Sequence, residues 1–130
     1  MIDKENPARM STHAAPTWAD LLERAATSTH SGPAWSHESE DLDVTLLSWE
    51  AGHRIAAHAN NEVDVVIIGI EGSGVVEVDE VAHAMAPGVV LLIPQGCERA
   101  IESTSARFSY LSVHKRRRGL MPTIGGLALT

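Results

Sequence analysis

At 130 residues, with 44% hydrophobic and 21% charged side chains, the chain has the size and apolar content for one folded core and is too apolar for a disordered segment. A formal net charge of −7 argues against general nucleic-acid binding, which needs a basic surface to displace phosphate counterions. The single Cys97 excludes an intramolecular disulfide, and no apolar run approaches the roughly 18 residues of a membrane span.

Residues 1–16 are polar, carry Pro7 and Pro16, and show no periodicity, so a mobile arm is expected. They lack the apolar centre of a secretory signal, which makes the cytoplasm the expected location. Thr17 followed three positions later by Asp20 resembles a capping box, and Leu21, Leu22, Ala25 and Ala26 behind it predict one short helix. From Ser28 to Asp41, Gly32, Pro33, several serines and an acidic cluster predict loop.

From Leu42 onward, short apolar runs alternate with turn residues. The runs are Leu42–Trp49, Val63–Ile70, Val75–Val78, Val81–Met85, Val89–Ile93 and Arg107–Val113, a pattern of an all-β sandwich or barrel. There is no room between them for crossover helices, so the sheets are expected to be antiparallel. The Asp79-Glu80 turn lacks the glycine that a two-residue hairpin usually takes, which predicts a strained or differently built turn. The expected layout is an arm and helix over 1–41, a barrel over 42–114, and a basic run and loose tail over 115–130.

Gly52, five residues, His58, one residue, Asn60, four residues, Val65, six residues, Gly72 is similar to the first motif of the cupin superfamily. Gly88, five residues, Pro94, one residue, Gly96, two residues, Arg99 resembles the second. The resemblance covers roughly residues 42–114 and implies a double-stranded β-helix, or jelly-roll barrel. It also implies that metal-dependent members hold a divalent ion through three histidines and a glutamate. Of those positions only His58 is kept; the others are Asn60, Val65 and Arg99. Valine is no ligand and a guanidinium repels a cation, so no metal is favoured. Should one bind, His58, Asp64 and His53 are the candidates. Asp64 and Val65 cannot both face inward, because neighbours on a strand point to opposite faces.

An inward Arg99 requires a counter-group. Either Asp64, Glu62 or Glu102 supplies it in a structural ion pair, or the carboxylate or phosphate of a small ligand does. His58, Asn60 and Tyr110 join Arg99 as candidate ligand-binding residues, while Phe108 and Tyr110 also suit core packing. Cys97 is expected to act as a small hydrophobe, and Lys115-Arg116-Arg117-Arg118 as a solvated basic face. The leading expectation is therefore a small-molecule-binding barrel for a polar or anionic ligand, more binding protein than enzyme. The alternatives are a metal-dependent oxygenase or isomerase, a metal-free isomerase with His58 as general base, and a dimeric interaction protein. A homodimer is the assembly the resemblance implies.

Overall fold

The computed structural model describes residues 15–117. One helix, α1 (Leu21–Ala26), precedes nine strands: β1 (Gly32–Glu38), β2 (Leu42–Glu50), β3 (Arg54–Ala59), β4 (Val65–Glu71), β5 (Gly74–Val78), β6 (Val81–Met85), β7 (Val90–Ile93), β8 (Glu98–Ser103) and β9 (Arg107–Lys115). They form a five-stranded sheet, β1-β2-β9-β4-β7, and a four-stranded sheet, β3-β8-β5-β6. The pairings described are antiparallel throughout.

The core lies between the two sheets. Leu47, Trp49, Val65, Ile67, Ile93, Phe108 and Tyr110 come from the five-stranded sheet, with Val76, Met85 and Ile101 opposite. Their alternation along each strand is what commits one face of each sheet to the interior.

Three segments differ from the sequence reading. Ser28–Asp41 contains β1, which pairs with β2 at the edge of the five-stranded sheet. Pro33 is tolerated there because an edge strand forgoes half its ladder bonds, and the register shifts between Pro33 and Trp35. β3 and β8 were absent from the predicted runs because their inward positions are not uniformly apolar. On β8 the buried residues are Arg99, Ile101 and Ser103, a period of two that hydropathy does not reveal.

The helix starts three residues later than the Thr17 cap predicts. Asp20 is the N-cap, its Oδ1 accepting from the Leu22 and Glu23 amides at 3.1 and 3.2 Å. Thr17 Oγ1 instead lies 3.1 Å from His37 Nε2 on β1. The Asp79-Glu80 hairpin is built with positive φ at both residues, 48° and 70°. The Asp79 carboxylate accepts from the Glu98 amide at 2.8 Å, and the Asp79 amide donates to Glu98 O at 2.8 Å, which ties the turn to β8. The arm residues 1–14 and the tail Met121–Thr130 lie outside the described residues.

Candidate functional site

Register places the candidate residues. His58 on β3 stands opposite Arg99 on β8, and Arg99 in turn faces Val78 on β5. Arg99 shares the inward face of β8 with Ile101 and Ser103, and it is 1% exposed. His58 is half-buried beside it, with Nδ1 3.0 Å from Ala56 O.

Asn60 follows the end of β3 and is buried. Its Oδ1 accepts from the Glu62 amide at 2.8 Å and from the Val63 amide at 3.4 Å, and its backbone O accepts from the Gly96 amide at 2.7 Å. These bonds set the approach to β4, and they occupy only the acceptor end of the side chain. Its Nδ2 is buried and has no hydrogen-bond partner among the described residues.

Tyr110 on β9 is fully buried, its hydroxyl accepting from Trp49 Nε1 at 3.2 Å. Its ring packs against Phe108 with centroids 5.2 Å apart. Alternation puts Ser112 and His114 on the same inward face, and Ser112 Oγ also lacks a partner among the described residues. Sequence reasoning gives Ser112 no role, because a serine between core positions carries no pattern of its own.

The electrostatics of this interior are positive. Burial, first, and the nearby Arg117 guanidinium pull the Arg99 pKa below its ordinary value, while Tyr110 and Cys97 oppose them. Glu62 Oε1 lies 3.6 Å from Arg117 Nε. Glu102 is on the opposite face of β8 from Arg99. Asp64 is exposed and accepts from the Gln95 amide at 2.8 Å. Glu62 and Asp64 thus each have a contact of their own, and Glu102 projects from the other face of β8.

The metal alternative fits this donor set poorly. Val65 is the inward neighbour and Asp64 faces out. His53 stacks on Trp49 with ring centroids 4.3 Å apart, at the far end of β3 from His58. No group of three His, Cys, Asp or Glu side chains comes together among the described residues. The position nearest His58 across the sheet holds a guanidinium, whose charge opposes a cation.

Cys97 packs against the core and is half-buried. Partial burial, then a hydrogen bond to Asp79 and the charges of Asp79 and Asp64, push its thiol above the ordinary value. A thiol held protonated is a poor nucleophile. Within the basic run, Arg116 pairs with Glu38 at 3.4 Å and Arg117 with Glu62, so two of its members are structural ties between segments; Arg118 lies outside the described residues.

No family model matches the chain, and no curated protein does. Solved structures do. A cupin-2 domain containing protein from Shewanella frigidimarina is 19% identical, with a TM-score of 0.61 over 72% of this chain and 89% of that one. A protein from Thermus thermophilus is 26% identical, with a TM-score of 0.63 over 75% of this chain and 95% of that one. A sugar phosphate isomerase of the cupin superfamily from Silicibacter pomeroyi is 24% identical, with a TM-score of 0.55 over 60% and 52%. The chain has the cupin fold, a jelly-roll barrel with one short helix.

Proposed function

We propose that the protein binds a small polar or anionic molecule inside the barrel, through His58, Asn60, Arg99 and Tyr110, without a bound metal. The observation that carries this reading is a buried guanidinium, Arg99, in a core that also buries the unpartnered Asn60 Nδ2 and Ser112 Oγ. Buried polar atoms are ordinarily satisfied, so donors left open in a barrel interior mark where a ligand's acceptors would sit. The fold alone assigns no activity, because one barrel hosts many unrelated chemistries.

The test is a thermal-shift screen of small anions and polar metabolites. A ligand that raises the unfolding midpoint of the native chain, and fails to do so in Arg99→Ala and Asn60→Ala, supports the reading. Unchanged shifts in both variants for every ligand found overturn it.

A second reading, a homodimer, is favoured by the outer face of the five-stranded sheet. Register aligns Val44, Val113, Val66 and Leu92 in one row, and Leu46, Leu111, Ile68 and Val90 in the next. Cover is lost along both rows, and Val90 and Leu92 on β7 are 61% and 58% exposed. The rows carry no charge, the condition under which two copies of an acidic chain meet closely. Sedimentation of the native chain and of Leu92→Glu tests this; a native monomer at every concentration overturns it.

A further inference from the structure

The residues nearest the open donors point to a particular ligand chemistry. Glu62 and Val63, carried on the turn that Asn60 builds, face Lys115, Arg116 and Arg117 at the end of β9 across a cleft of about 240 Å³. Three cations and one carboxylate line it, in a chain whose net charge is −7. Arg116 is committed to Glu38, and its amide to Asp41 O. Lys115 is exposed and makes no ion pair among the described residues. Arg117 meets Glu62 at 3.6 Å, with both side chains partly in solvent, at 27% and 42% exposure.

Such an ion pair is weak, and its carboxylate is easily exchanged for another. The polar atoms left open here are donors. Asn60, whose Oδ1 holds the Glu62–Val63 turn, buries an Nδ2 with no hydrogen-bond partner among the described residues, and Arg117 Nε is buried with Glu62 Oε1 3.6 Å away, beyond hydrogen-bond length. Donors without acceptors select a ligand that offers acceptors only, which excludes amines and makes neutral sugars, whose hydroxyls also donate, a poor match.

We propose that this cleft is an oxyanion site, in which a carboxylate or phosphate group binds Arg117 and Lys115 and displaces Glu62 from Arg117. This rests on the reading of the barrel as a binding pocket and extends it, assigning Glu62 the part of a built-in competitor that occupies the cation until a ligand arrives.

The test is isothermal titration of the full chain with two probes, inorganic phosphate and succinate, at low and high salt. Native protein is expected to bind at least one probe saturably, more weakly as salt rises. Arg117→Gln weakens that binding about tenfold or more, as loss of a charge-assisted contact does. Glu62→Gln strengthens it by removing the competitor. Both residues are partly exposed, so both variants are expected to keep the unfolding midpoint of the native chain. Phosphate bound in preference to succinate assigns the site to phosphate esters, and the reverse assigns it to carboxylates. Binding that is lost in Arg99→Ala yet unchanged in Arg117→Gln and Glu62→Gln overturns the cleft while leaving the interior pocket standing. No binding of either probe to the native chain overturns the oxyanion site outright, and the wider ligand screen then decides the pocket.

Discussion

His58 and Arg99 are cross-strand partners, one on β3 and the other on β8, with their side chains on the inward face of the four-stranded sheet. In this barrel, then, the one retained histidine of the metal motif looks across the ladder at a permanent cation. That pairing leads to the first expectation. Protein purified without an affinity tag should contain far less than one equivalent of metal, and added iron, manganese, nickel or zinc should leave its unfolding midpoint unmoved. One equivalent of metal that disappears in His58→Ala would reverse this reading.

Arg99 also fills volume. Its side chain is among the largest of the fully buried set. Arg99→Ala should therefore be less stable than Arg99→Met by about 1–3 kcal/mol in urea unfolding, because methionine fills space that alanine leaves as a cavity. Both variants should lose anion binding. Equal stabilities would mean that the barrel collapses around the missing side chain.

Tyr110→Phe keeps the ring and its contact with Phe108 but removes the acceptor for Trp49 Nε1. A buried indole N–H without an acceptor costs about 1–3 kcal/mol. The loss is read in chemical unfolding, with a changed tryptophan emission as the local signature. An unaltered midpoint would show that water or a neighbour takes over the acceptor role.

Two glycines separate conformational strain from crowding. Gly72 has φ of +72°, and a methyl group there would run into the backbone carbonyl of Arg107. Gly88 has φ of +90° with nothing within 4 Å of an added Cβ. Gly72→Ala should cost well over about 1 kcal/mol and more than Gly88→Ala, which suffers the backbone penalty alone. The reverse order, measured by thermal unfolding, would place the crowding elsewhere.

The raised Cys97 pKa has a signed consequence. The folded chain holds the thiol proton more tightly than the unfolded chain does. This contribution to stability is complete below the ordinary thiol range and is lost as pH rises through that range toward the folded value. Unfolding midpoints measured from about pH 7 to about pH 10 should fall more steeply for the native chain than for Cys97→Ser. Parallel profiles would remove Cys97 from the account.

What could be read in advance was the frame. Gly52, Gly72, Gly88 and Gly96 all take positive φ in the structure, and Pro94 follows the last residue of β7. Such residues announce reversals because few others tolerate them. β1 stayed hidden because Gly32, Pro33 and Ser36 disfavour a strand until β2 supplies partners. β8 stayed hidden because a buried arginine and a buried serine erase the hydrophobic alternation. The same substitution that obscured the strand marks the candidate site, so the least strand-like inward residue is the most informative about chemistry. The cleft at Glu62 and Arg117 was not legible at all, since those residues lie 55 positions apart and meet only when the end of β9 returns beside the start of β4.

β7 is four residues long, is followed by Pro94, and forms the rim of the five-stranded sheet with Val90 and Leu92 in the open. An apolar rim of that kind invites a stray strand from another molecule, and brevity with a terminal proline is how the invitation is declined. A chain in which this rim were lengthened by replacing Pro94 with valine would carry a sticky seam down one side, and its first symptom would be precipitation during expression, well before any loss of ligand.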